Sequence, residues 1–272
     1  MRGQECCIVA NLVEGRAMLS ALGFGEAAIS LVPSEVARQL REREGVAGVI
    51  IKNGVYGAWV ASSKSLDPIP CYQTDRVFSI GSGDVFSGVF AFSWAVTGLP
   101  PSDAAEMASR ATAYYCNSQS LPIPVDVAKA TAGLVAVPHR AEADPKLVYL
   151  AGPLFNLQEV WFVEETKRSL ESIGLRVFSP WHEVGYSDDP QKLASEDLEG
   201  LKRSDVVLAL VDGLDAGTIF EAGYATARGI PVVAYGERVN DSDLTMLVGS
   251  GTRLFRDFTT ALYHAAWTAA GT

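Results

Sequence analysis

Basic residues are the minority charge in this chain: 22 Lys and Arg stand against 32 Asp and Glu, for a net charge of −10 over 272 residues. A surface that grips DNA or RNA needs clustered cations to displace counterions, so a nucleic-acid polymer is not the expected partner and small substrates are. Nowhere does the sequence hold the run of about 20 apolar residues that spans a bilayer, and the start, MRGQECCIVANLVEG, is not organised as a signal peptide. The expectation is a cytoplasmic chain with no membrane partner. Cysteine is scarce, and Cys6, Cys7, Cys71 and Cys116 show no CxxC spacing, which predicts reduced, partly buried thiols and no zinc site. Histidine is scarcer still, and His139, His182 and His264 form no HExxH or His-x-His set, so no metal is expected. With 48% hydrophobic and 20% charged residues, the composition supports an ordinary buried core.

The segment AVPHRAEADPKL (136–147) mixes proline, charge and alanine between two patterned regions and reads as a linker, giving domains 1–142 and 143–272. Beyond it, strands and helices alternate. KLVYLAG is a strand, followed by a helix from about 156 to 173, the strand LRVFSP and a helix near 190–204. The strand DVVLALV, a helix over Thr218–Arg228, the strand PVVAY and a helix near 258–268 complete the series. Continuous apolar strands between amphipathic helices predict a doubly wound parallel sheet of flavodoxin-like type in an α/β domain. In such sheets ligands sit at the carboxyl ends of strands. The loops there are AGPLFN, SPWHEVGYSDD and DGLDAGT. The first half reads as a second α/β domain, with strands in CCIVAN, VAGVIIKNG and GAWVAS and a long apolar helix opened by GSGDVFSG.

In DGLDAGTIFEAG one carboxylate is out of place as packing: Glu221 lies between Phe220 and Ala222 near the start of a helix, behind Asp212 and Asp215. Together with YLAGPLF, DLEGLKRSDVVLALVDG and DAGTIFEAGYATARGIPVV, this stretch of 147–235 resembles the nucleoside 2-deoxyribosyltransferases. Cleaving an N-glycosidic bond builds positive charge on C1′ and the ring oxygen, which a carboxylate can stabilise or capture as an ester. A second acid can serve the departing base. The resemblance implies Glu221 as nucleophile, Tyr149 as the hydrogen-bond donor orienting it, and Asp197 and Asp215 as contacts to the base. Gly152, Pro153 and Gly217 are expected to let ligand approach the backbone. Phe155, Trp181 and, more weakly, His182 are expected as walls of the site. The family often completes its site with an Asn-x-Met segment of a neighbouring subunit. Here VNDSDLTMLVG keeps Met246 but has Leu244 in the Asn position, and a homo-oligomer is expected.

In the first half, NLVE (Asn11 to Glu14) and GSGDVFSG, with Gly81, Gly83 and Asp84, resemble the Asn-x-x-Glu motif and the anion hole of ribokinase-like PfkB kinases. Glycines there expose helix-start amides to a phosphoryl group, and Asp84 is placed as a base. Because the sugar-binding portion and lid of such a kinase would precede CCIVAN, the half is expected to be a partial ribokinase-like fold, a truncated kinase domain in which residual ATP and Mg²⁺ binding is the lesser expectation.

The leading expectation is therefore a pentosyltransferase: a nucleoside 2-deoxyribosyltransferase passing the sugar from one nucleobase to another through a glycosyl-glutamate, without a cofactor. The alternatives are an N-glycosidase acting on nucleosides or nucleoside 5′-monophosphates and, in another class, a non-catalytic nucleotide sensor.

Overall fold

The computed structural model describes residues 6–138, 145–185 and 188–271, so the segment read as a linker lies partly outside the described residues. The chain divides into two compact units, Met1–Glu142 and Ala143–Thr272. Among the described residues no helix is long and apolar enough to cross a membrane.

The first unit is built on β1 (Cys7–Asn11), α1 (Leu12–Leu19), α2 (Pro33–Glu44), β2 (Gly48–Lys52), β3 (Ala58–Ser62) and β4 (Leu66–Ile69), followed by α3 (Ser82–Ala91), α4 (Pro101–Ser118) and the short α5 (Val127–Ala130). Its sheet runs β1-β2-β3-β4. The first pair is parallel, with Cys7 opposite Gly48, and the other two are antiparallel. Helices lie on both faces. Leu19, Val36 and Leu40 pack with Val49 and Ile51 on one side, and Phe86, Phe90, Ala104 and Ala108 pack with Ile50 and Val60 on the other. The alternation of side chains along β2 explains the division, because successive residues of a strand face opposite ways. Proline at the first turn and left-handed Gly45 after the last bound α2.

The second unit holds β5 (Leu147–Ala151), α6 (Leu157–Ser172), β6 (Arg176–Phe178), α7 (Pro180–Glu183), α8 (Pro190–Lys202), β7 (Val206–Leu210), α9 (Ala216–Ala227), β8 (Val232–Tyr235), α10 (Thr245–Gly249), β9 (Arg253–Phe255) and α11 (Phe258–Ala269). All five strands are parallel, in the order β6-β5-β7-β8-β9. This is the doubly wound arrangement expected from the alternating pattern. Every residue of β7 is buried, as a central strand covered on both faces requires. From β5 the chain first moves outward to β6, then crosses to β7 on the other side. The direction of winding reverses between β5 and β7, which opens a crevice at their carboxyl ends.

One packing detail sets the geometry beneath that crevice. Phe178 stacks on Tyr149 with centroids 5.5 Å apart and planes 15° from parallel. Gly200 of α8 makes room for it: a Cβ there would stand 2.2 Å from the Phe178 ring. Gly200→Ala should overpack this site and cost about 1–3 kcal/mol, read as a lower urea midpoint for the second unit. An unchanged midpoint would show that the Phe178 ring gives way freely.

Candidate active site

Tyr149 stands on β5, fully buried, and its hydroxyl donates a 2.6 Å hydrogen bond to Glu221 Oε1 on α9. The neighbouring strand and helix supply this contact from residues 72 positions apart in sequence. Burial and the adjacent Glu221 carboxylate hold the Tyr149 hydroxyl far above its ordinary range, so it remains a donor. Burial also pushes Glu221 up to about 7, and the negative charges of Asp197 and Asp215 add to the rise while the tyrosine bond opposes it. Asp197 on α8 is raised as well, first by burial and then by Glu196. Its Oδ1 is buried without a hydrogen-bond partner, an orphaned acceptor whose cost is normally met by a ligand, a water or a proton. The four residues Tyr149, Asp197, Asp215 and Glu221 thus form one electrostatically coupled group at the crevice, with no Lys or Arg of the described residues among the groups that shift Glu221, Asp197 or Tyr149.

Asp215 has a structural task too. It is the N-cap of α9, and its Oδ2 accepts from the backbone N–H of Thr218 at 2.7 Å and from the Thr218 hydroxyl at 2.8 Å. Oδ1 is not used in the cap. Gly217 follows in the exposed first turn, where an added Cβ would come within 3.1 Å of Asp215 Oδ2. Gly152 has a packing reason to be glycine: a Cβ there would meet Val163 at 3.0 Å and Leu210 at 3.1 Å, so it lets α6 and β7 close on β5.

Around the group, Pro153 is partly buried, and Phe155, Trp181 and Met246 are exposed on the loops and short helices that follow the strands. Phe155 also donates its N–H to Glu159 Oε2 at 2.8 Å, beside the Asn156 cap of α6. His182 pairs with Glu164 at 2.8 Å. Leu244, in contrast, is buried in the core behind α9, which explains why an apolar residue fills that position. Asp212 was read only as a neighbour of the site. Its carboxylate accepts from the N–H groups of Glu237, Arg238 and Val239 and so ties the loop after β7 to the loop after β8. Sequence carries no signal for that bond, since the partners are backbone amides.

In the first unit the Asn-x-x-Glu motif closes on itself. The Asn11 side chain accepts from the Glu14 N–H and Glu14 accepts from the Asn11 N–H, each at 2.8 Å, a reciprocal cap for α1. In this arrangement the pair serves the helix start, with both side chains exposed. Gly81 is left-handed, Gly83 lies beside Lys52 Nζ, and Asp84 is exposed in the first turn of α3. Among the described residues no cluster of His, Cys, Asp or Glu could hold a metal ion.

Comparison with known proteins agrees with this division. Residues 148–251 match the family model "nucleoside 2-deoxyribosyltransferase" and residues 7–126 match "pfkB family carbohydrate kinase". No curated protein matches the chain significantly. Similar solved structures include a 2-deoxyribosyltransferase from Bacillus psychrosaccharolyticus, 27% identical over 42% of this chain and 88% of that one, with a TM-score of 0.36. A conserved protein from Enterococcus faecalis is 25% identical over 44% of this chain and 96% of that one, with a TM-score of 0.36. A ribokinase from Thermotoga maritima is 26% identical, with a TM-score of 0.40, over 47% of this chain and 42% of that one. The chain therefore joins a segment similar to the pfkB carbohydrate kinases to one similar to the nucleoside 2-deoxyribosyltransferases.

Proposed function

We infer that the second unit is a nucleoside 2-deoxyribosyltransferase with Glu221 as its nucleophile. The observation that carries this reading is the partly buried hydrogen bond from Tyr149 to Glu221 Oε1. It fixes the carboxylate's rotation and leaves Oε2 as the atom free to attack. In the first half-reaction, Glu221 Oε2 bonds to C1′ of a 2′-deoxynucleoside as the C1′–N bond breaks, and the departing base takes a proton. Asp197, whose buried carboxyl is biased toward its protonated form, is the donor best suited to supply it. Asp215 Oδ1 contacts the base. In the second half-reaction, a nitrogen of another base attacks C1′, its proton returns to the acid, and the ester bond to Glu221 breaks. Two inversions give net retention. No cofactor takes part.

The negative charges that Glu221 shares with Asp197 and Asp215 set a dianionic 5′-phosphate at a disadvantage. The preferred donor is accordingly the unphosphorylated nucleoside. Met246, 85% exposed, and the exposed Phe155, Trp181 and Phe220 stand on segments that follow the carboxyl ends of β5 to β8; in this reading a second copy of the chain covers them and excludes water from the site.

Incubation with a deoxynucleoside and a second free base should yield the exchanged nucleoside, and Glu221→Gln should abolish it. Free deoxyribose as the main product, or exchange by a folded Glu221→Gln protein, would overturn the assignment. The pH dependence is fixed by sign. Glu221 must be ionised to attack, so kcat/KM should fall on the acid side with a midpoint near 7. Tyr149→Phe removes the bond that lowers the Glu221 value and should move the midpoint upward; a midpoint unmoved by that change would assign the titration to another group.

Stability should respond in the opposite sense. A carboxyl whose folded value is raised binds more protons folded than unfolded between about 4.5 and about 7, so its contribution is favourable below that window and is lost as pH rises through it. Glu221→Gln should therefore unfold at higher urea than the parent at pH 8, and the difference should shrink toward pH 4.5. A less stable variant at pH 8 would contradict the burial assigned to Glu221.

A further inference from the structure

Asp212 stands just past β7, and its carboxylate is taken up by the backbone of another loop. Oδ2 accepts from the N–H of Glu237 at 2.9 Å, and Oδ1 accepts from those of Arg238 and Val239 at 2.8 and 3.0 Å. The receiving loop is also braced by Arg256, directly after β9, which donates to the carbonyls of Gly236 and Val239, each at 2.6 Å. Gly236 lets the two loops meet, since a Cβ there would stand 2.6 Å from Val239 and 2.8 Å from Val211. Between Asp212 and Asp215 the backbone turns through two left-handed residues, Gly213 at φ 85° and Leu214 at φ 54°. Glycine takes that conformation freely. In leucine it costs of order 1–3 kcal/mol and persists only where the surrounding structure holds it. On one side it is held by the Asp212 anchor, and on the other by the Asp215 cap on Thr218.

We propose that Asp212 is a positioning residue: seated on the loop after β8, it fixes the turn at 213–214 and with it the place of the Asp215 carboxylate relative to Glu221. The inference rests on the role given above to Glu221, but it concerns how the site is held rather than what reacts there. Glu221 is faced by Tyr149 from β5, Asp197 from α8 and Asp215 from the start of α9, and the charge of Asp215 adds to the rise in its value. Asp212 is not itself among the described groups that shift it. An electrostatic influence of Asp212 on Glu221 therefore passes through the place of Asp215. Asp212→Asn makes that influence measurable. It offers one acceptor oxygen where the carboxylate offers two, so either the Glu237 bond or the Arg238 and Val239 bonds are lost. The turn is then free to relax from its left-handed form, and Asp215 drifts from Glu221.

Carbon-13 NMR titration of the Glu221 carboxyl in the whole protein, assigned by its loss in Glu221→Gln, tests this without substrate. Asp212→Asn should lower the Glu221 midpoint, as Asp215→Asn does, and in an Asp215→Asn background the same change should add nothing. Base exchange by Asp212→Asn should fall by about ten- to a hundredfold in kcat/KM. If Asp212→Asn does not fold, Gly236→Ala carries the test: it forces the loops apart, leaves every carboxylate in place and should move the midpoint the same way. A Glu221 midpoint unmoved in the folded variant, unmoved by Asp215→Asn, or lowered equally when Asp215 is already replaced would each overturn the proposal. Absence of base exchange in the wild type would instead sink the function proposed for the site, and the titration would still decide the role of Asp212.

Discussion

A buried carboxylate needs a donor, and the pairing of Glu221 with Tyr149 is the constraint around which the second unit is arranged. Tyr149 reaches α9 only because β5 and β7 are adjacent and the winding reverses between them. The ring is held upright by Phe178, and Phe178 has its place only because position 200 lacks a side chain. A chain of contacts therefore runs from a glycine on α8 through two stacked rings to the carboxylate. Each link is apolar or neutral until the last, so the charge at Glu221 is raised against its surroundings.

Much of this architecture was legible in the sequence, for physical reasons that differ between elements. Strands such as Val206–Leu210 are apolar throughout because both faces are covered, and that pattern survives without any knowledge of neighbours. Glu221 stood out because a carboxylate flanked by Phe220 and Ala222 breaks a helix face. Other elements left no periodic trace. β4 contains Pro68 and is tolerated only because it lies at a sheet edge, and β9 is three residues long. The packing role of Gly152 left no trace, because a glycine looks alike in sequence whether a ligand or a neighbouring Val163 needs the space.

Hydrogen bonds to backbone were the least legible of all. Asp212 binds three amides some 25 residues onward, and nothing at those positions marks them as donors. Asn11 and Glu14 show the reverse case, a pair whose spacing is shared by a kinase motif and by a helix cap. Three-residue spacing satisfies both demands, and a pair at that spacing can serve a helix start and a motif at once.

On the proposed function, the cap formed by Asp215 would couple occupancy of the crevice to the order of a helix. Its Oδ2 holds the first turn of α9 through Thr218, and Oδ1 is the oxygen not used in that cap. A ligand that drew the whole carboxylate toward itself would release a cap of about 1 kcal/mol and fray the segment that leads to Glu221. Ligands that accept the carboxylate's existing orientation leave the helix intact. On that reading the cap is a filter on pose: it would penalise molecules that bind well but pull the support of the proposed nucleophile out of line.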